Sequence, residues 1–235
     1  MIFSRAATII ALAIGVIQAA PLAKRINSGL LLNCKKGSVA LAFDDGPFQF
    51  TGKLLDTLRD AHVPATFFVN GNNYWDIATN ADARATIKRA FDEGHQIGSH
   101  TYSHAHLPQL TDDQIKLEMQ KVEDLVEGVI GERPAFMRPP YGEVDDHVIG
   151  LLNGIGYMVV NWSVDTKDYE THNLADEMAR VEEDTSDSSH GAITLAHDVF
   201  GQTAEELAPK MIQYFSKKGF TFVTVAECYG ASAYK

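Results

Sequence analysis

Ser38-Val39-Ala40-Leu41-Ala42-Phe43-Asp44-Asp45-Gly46-Pro47 runs from a short apolar segment straight into two acids and a turn. The run Ser38–Phe43 is predicted to be a strand, and Gly-Pro ends it, aiming two neighbouring carboxylates into a loop. The same order of apolar strand, then reactive polar residue, recurs along the chain. Further strands are expected at Ala65–Val69, Gln96–Gly98, Ala135–Met137, Met158–Trp162, Ala192–Leu195 and Phe220–Thr224. Helical patterns fall between them, at Gly52–Ala61, Ala81–Glu93, Asp112–Val129, Asp145–Ile155, Leu174–Glu183 and Glu205–Lys218. Thr111 is placed to cap the third helix, and Gly131 and Pro134 to stop it. Strand and helix alternating over the whole length imply an α/β fold with parallel strands inside and helices outside.

Asp44 and Asp45 follow the first strand, His100 the third, Arg138 the fourth, Asp165 and Asp168 the fifth, and His197 and Asp198 the sixth. In a parallel barrel the C-terminal strand ends share one face, where such folds place their sites. Seven predicted strands instead of eight imply a distorted (β/α) barrel as a single domain. An open doubly wound sheet is the alternative, but no Gly-rich phosphate loop follows the first strand.

With 235 residues, 45% of them hydrophobic, the chain can bury a full core. Its 31 acids against 20 Lys and Arg argue against nucleic acid or an anionic membrane as partner. Residues 1–20 read as a signal peptide: Arg5, the apolar run Ala6–Ile17, then Ala19 and Ala20 at the cleavage point. The apolar run is too short to span a bilayer. Residues 21–33 read as a short pro-segment or N-terminal extension carrying the dibasic pair Lys24-Arg25, and 34–235 as the catalytic domain. The protein is therefore expected in the extracellular space or cell wall, as a monomer without a membrane anchor. In a secreted chain the two cysteines, Cys34 and Cys228, are expected to pair. Such a bridge stabilises by roughly 4–5 kcal/mol in the chain-entropy model. The sequon Asn161-Trp162-Ser163 lies in a predicted strand and is expected to be unoccupied.

His100 and His104, four residues apart, would share one face of a helical turn and reach one metal ion. One carboxylate completes three protein ligands and leaves a position for water. Two adjacent carboxylates repel unless a cation intervenes, so a metal at Asp45 leaves Asp44 free to take a proton. His106 falls off that face and reads as an ordinary polar residue. Arg138 can hold a carboxylate, and the N–H past Pro139-Pro140, at Tyr141, can serve an oxyanion. His197 becomes a proton donor if an acid such as Asp168 raises its pKa.

Five segments in order, Phe43-Asp44-Asp45-Gly46-Pro47, His100-Thr101-Tyr102-Ser103-His104, Arg138-Pro139-Pro140-Tyr141-Gly142, Asp165-Thr166-Lys167-Asp168-Tyr169 and Leu195-Ala196-His197-Asp198, resemble the polysaccharide deacetylase family. This family is also called the NodB-homology domain or carbohydrate esterase family 4. The resemblance runs from about Ser38 to Thr224 and implies a distorted (β/α) barrel of about seven strands. It implies Asp45, His100 and His104 as metal ligands, Asp44 as general base and Arg138 as the residue orienting it. Tyr141 would supply the oxyanion N–H, His197 the general acid tuned by Asp168, and Leu195 the wall for the acetyl methyl. Tyr169 stands where the family usually has tryptophan. The implied activity is that of a metal-dependent hydrolase, with one divalent ion, Zn²⁺ or else Co²⁺. The wording of the motifs is most similar to fungal enzymes that deacetylate chitin or chitin oligosaccharides to chitosan and acetate. Acetylxylan ester hydrolysis and peptidoglycan GlcNAc deacetylation are alternatives within the family. A non-catalytic carbohydrate-binding protein is disfavoured, because every charged or metal-binding position is filled.

Overall fold

A computed structural model of the protein describes residues 29–186 and 189–235. The signal peptide, the Lys24-Arg25 pair and most of the N-terminal extension read from the sequence lie outside the described residues. The chain proceeds through β1 (Ser38–Asp44), α1 (Thr51–Ala61), β2 (Ala65–Val69), α2 (Ala81–Asp92) and β3 (Gln96–Ser99). There follow α3 (Asp112–Ile130), β4 (Phe136–Met137), α4 (Asp146–Gly154), β5 (Met158–Val159) and β6 (Val164–Asp165). It ends with α5 (Asp168–Thr171), α6 (Leu174–Asp184), β7 (Ala192–His197), α7 (Ala208–Lys217), β8 (Thr221–Phe222) and α8 (Val225–Tyr229).

Every strand pair is parallel, in the order β5-β4-β3-β2-β1-β7-β6, with β8 added beside β1. Seven strands thus form the curled sheet of the expected distorted barrel. The predicted fifth strand, Met158–Trp162, shortens to β5. After β5, the stretch 160–163 crosses the opening between the sheet's two edges, and the chain rejoins the opposite edge as β6. Leu31 occupies the β5 edge beyond it, pairing with Val160 and accepting from the Asn161 N–H. The two-residue β6 was not expected, because Val164 alone carries no periodic signal.

Side chains alternate across β1. Val39, Leu41 and Phe43 pack against the helical layer with Leu54, Leu55 and Leu58 of α1. Each such burial contributes about 1.5–3 kcal/mol. Ala40 and Ala42 face the interior with Phe68, Phe136 and Ile193. Small alanines there leave room for the phenylalanines, and Phe68 lies so close over Gly98 that a Cβ would sit 2.5 Å from its ring. Helix ends follow local chemistry. Thr111 and Gln114 form a capping box on α3, and Gly131 ends that helix at φ 78°. Cys34 and Cys228 are disulfide-bonded, tying the segment before β1 to α8 across 194 positions. Among the described residues, no helix is long and apolar enough to cross a membrane.

Register is what assembles the site. Asp44 lies opposite His197 across β1 and β7, and Ser99 lies opposite Met137 across β3 and β4. One residue beyond that second pair, His100 and Arg138 are neighbours.

Candidate metal centre and catalytic site

Asp44, Asp45, His100, His104, Tyr141, Leu195 and His197 all line one cavity of about 320 Å³. Arg138 and Asp168 sit behind it, fully buried. The nine residues given a catalytic, substrate-binding or metal role from the sequence therefore meet at one end of the barrel.

The histidines get there by a route other than the one expected. Residues 100–104 are a loop, with Thr101 at φ 67° and His104 at φ 56°. The loop after β2 captures their backbone: the Asn70 amide donates to the His100 and Thr101 carbonyls, and the Asn72 N–H to Tyr102. Those carbonyls are thereby withdrawn from an i→i+4 ladder, yet the two rings still meet, centroids 5.0 Å apart. Asp45 turns toward them at φ 76°, a left-handed conformation that aspartate tolerates.

Ligand atoms of Asp45, His100 and His104 all lie within 4.8 Å of one another. His100 Nδ1 is 2.7 Å from the Arg138 carbonyl oxygen, which can only accept, so Nδ1 carries the proton. Nε2 is then a bare lone pair, and it faces Asp45 Oδ1 at 3.5 Å. His104 Nε2 approaches the same oxygen at 3.2 Å. Burial depresses both imidazoles, His100 to about 3 and His104 to about 4, so both are neutral near pH 7. Asp45 Oδ1 is buried and makes no hydrogen bond. Burial, with Asp44 alongside, pushes its carboxyl up to about 6 even though His197 pulls it down. The His100 lone pair and the orphaned carboxylate oxygen repel, and a cation between them, within reach of the neutral His104 ring, resolves that repulsion. The donor set of two imidazole nitrogens and a carboxylate oxygen suits Zn²⁺.

Asp44 is held otherwise. Arg138 Nη1 donates to its Oδ1 at 2.9 Å, while Nη2 donates to the Asn161 and Thr194 carbonyls at 3.2 Å each. The guanidinium thus spans the opening between the sheet edges and lies over the Phe68 ring at 4.6 Å. Burial raises the Asp44 pKa, and Arg138 opposes that rise.

His197 Nδ1 is 2.7 Å from Asp168 Oδ1. Asp168 Oδ2 also accepts from the His197 N–H and the Thr203 hydroxyl, each at 2.7 Å. Burial alone would depress His197, but the Asp168 hydrogen bond and charge outweigh it and raise the imidazole to about 9. Asp198 turns away from the cavity, accepting from Thr51 and packing on Gly46.

The Tyr141 N–H makes no hydrogen bond among the described residues. Its backbone is left-handed, φ 60° and ψ 5°, which costs about 1–2 kcal/mol outside glycine. Tyr169 stands edge-on to His197, ring centroids 5.3 Å apart, with its hydroxyl on Lys167 Nζ at 2.6 Å.

Sequence reasoning missed three participants. Trp162, read as part of a strand, lines the cavity and closes on Gly142, where a Cβ would meet the indole at 2.7 Å. Thr203 opens a π-helical turn, Thr203–Leu207, that runs into the predicted last helix, and itself lies two residues before that helix was expected to begin. His106, set aside for its spacing, stacks on Tyr141. An aromatic next to a turn was the available signal for Trp162; Thr203 carried none.

A family model described as Polysaccharide deacetylase matches residues 32–160. A chitin deacetylase of Colletotrichum lindemuthianum is 40% identical over 97% of this chain and 94% of its own length. A peptidoglycan-N-acetylglucosamine deacetylase of Bacillus cereus is 35% identical over 84% of this chain and 70% of its own. The solved structure of the Colletotrichum lindemuthianum enzyme superposes with a TM-score of 0.82 at 38% identity, covering 88% of this chain and 95% of that one.

Proposed function

The chain belongs to the polysaccharide deacetylase family, and from that premise we propose that it is a secreted, metal-dependent enzyme that removes N-acetyl groups from the GlcNAc residues of chitin. Its products would be chitosan and acetate. The observation that carries this reading is the Asp45-His100-His104 group sharing a cavity with an Arg138-held Asp44 and an Asp168-held His197. The chitin assignment draws on the 40% identical fungal relative. A peptidoglycan GlcNAc N-acetyl group is the second reading, supported by the 35% identical bacterial relative. The Cys34–Cys228 bridge fits an oxidising compartment and so the proposed signal peptide at 1–20.

Asp45, His100 and His104 would hold one divalent ion, Zn²⁺ first and Co²⁺ second. That ion, when bound, supplies Lewis-acid polarisation of the acetamide carbonyl and acidifies a water molecule. Asp44 accepts a proton from the attacking water through Oδ2, since Oδ1 is tied to Arg138. A raised pKa makes it a better proton acceptor than an exposed aspartate. As the water oxygen bonds to the acetyl carbon, the Tyr141 N–H receives the developing oxyanion. Leu195 packs beside the methyl. His197, its Nδ1 fixed by Asp168, donates from Nε2 to the departing amine as the C–N bond breaks.

Acetate release from chitin oligomers, peptidoglycan and acetylated xylan by the zinc-loaded enzyme tests the reading. The expected result is release from chitin oligomers; release from acetylxylan alone would overturn it.

His197 must be protonated to act, so activity is held through neutrality and lost as pH rises through its folded pKa. A nearby divalent cation opposes the imidazolium, placing that alkaline limb at or below about 9. Asp168→Asn removes the charge that raises it, and the limb should move down toward the ordinary histidine value near 6.5. At pH 8 this costs roughly ten- to thirtyfold in kcat/KM. A kcat/KM profile with an unmoved alkaline limb in Asp168→Asn would exclude His197 as the acid.

A further inference from the structure

We propose that His106 is a positioning residue, whose ring, stacked on Tyr141, holds the Tyr141 N–H in register with the metal-ligating loop. The inference rests on the oxyanion role given to Tyr141 above. Three contacts carry it. The His106 and Tyr141 rings are stacked almost parallel, 6° apart in plane with centroids 3.9 Å apart. His106 Nδ1 donates to Glu143 Oε2 at 2.8 Å. Tyr141 meets the His104 ring edge-on at 4.5 Å.

Residues 141 and 143 therefore clasp one imidazole between them, and that imidazole sits two positions beyond a metal ligand. The strained Tyr141 backbone is fixed from inside by turn bonds, Gly142 N–H to Pro139 and Glu143 N–H to Pro140. Neither bond reaches another loop. Asn161 Nδ2 ties the Gly142 carbonyl to the 160–163 crossing at 3.0 Å, and the rings of His104 and His106 join Tyr141 to the loop after β3. The oxyanion would need the Tyr141 N–H at a fixed place relative to the loop that carries His100 and His104, because a displacement of about 1 Å costs on the order of a hundredfold in rate. Of the two rings on Tyr141, His106 meets it face to face and His104 only edge-on. The half-exposed Glu143 alone adds little. The stacked face should therefore matter more than the hydrogen bond.

The test is kcat, KM and zinc affinity for His106→Ala, His106→Phe and Glu143→Gln, each as zinc-loaded full-length protein. Rates are read on whichever polymer the wild type hydrolyses. A wild type active only on peptidoglycan thus overturns the chitin reading and leaves this test standing. A wild type active on none of them overturns both. His106→Ala should lower kcat about ten- to a hundredfold, with KM and zinc affinity within about twofold of wild type. His106→Phe keeps a flat ring against Tyr141 and should recover kcat to within about threefold, and Glu143→Gln should stay near wild type. Unchanged kcat in His106→Ala would overturn the proposal. So would zinc loss in parallel with kcat, which would make His106 a support for the metal loop alone. A raised KM at unchanged kcat would make it a sugar contact and overturn the proposal equally.

Discussion

His104→Ala protein should lose bound metal and acetate release together, and added zinc should restore little of either. The argument is geometric. His104 Nε2 and His100 Nε2 face the same buried Asp45 oxygen at 3.2 and 3.5 Å, and that oxygen has no protein donor. Removing one imidazole leaves two protein ligands, one of them an aspartate that burial already pushes toward protonation. Affinity should fall by more than the roughly 10–100-fold that outer-shell changes cost. His104 is partly exposed at the cavity wall, so its loss should spare the core. A chelator should reproduce the variant's inactivity in the wild type, and zinc should reverse it there. Metal analysis by mass spectrometry reads the result directly. Full occupancy in His104→Ala would remove this histidine from the ligand set.

The site was more legible than the frame that positions it. Asp44, His100, Arg138 and His197 each carry chemistry in the side chain, and each follows an apolar run, so their gathering at one rim follows from parallel strands. The form of the gathering depends on contacts distant in sequence. His100 and His104 share a face because Asn70 and Asn72 reshape their loop, and the His-x-x-x-His spacing taken alone suggests a helix. The strand Val164–Asp165 is two residues long, too short for a period, and exists because β7 offers an edge. The four-residue α5 and five-residue α8 are equally short of a helical pattern. His106 failed the spacing rule because it serves a partner 35 positions away, beyond any local window. Arg138 shows both sides. Its pairing with a carboxylate was readable from its chemistry. Its bridging of the open barrel through the Asn161 and Thr194 carbonyls was not, because the edge-to-edge crossing at 160–163 is a property of the curled sheet as a whole.

Asp44→Asn should bind zinc and chitin oligomers and release almost no acetate. General-base loss typically costs about 10²–10⁴ in rate, whereas Asp45, His100 and His104 remain to hold the metal. Asparagine preserves the volume, and its carbonyl oxygen can still accept from Arg138 Nη1. What it loses is a proton acceptor and a charge. The charge matters to the fold as well, because Arg138 is fully buried and Asp44 is its ion-pair partner. Breaking a buried pair costs up to about 3–5 kcal/mol, so the melting temperature should fall too. Instability and base loss are separable by pH. A base whose pKa burial has raised is active above that pKa, and the wild-type rate should fall as pH drops through it. In Asp44→Asn the Asp44 acid limb should vanish, leaving a low rate across that range. A merely destabilised enzyme would keep the limb at reduced amplitude. Near-full turnover with zinc bound would mean that another group deprotonates the water, and the role given to Asp44 would have to be abandoned.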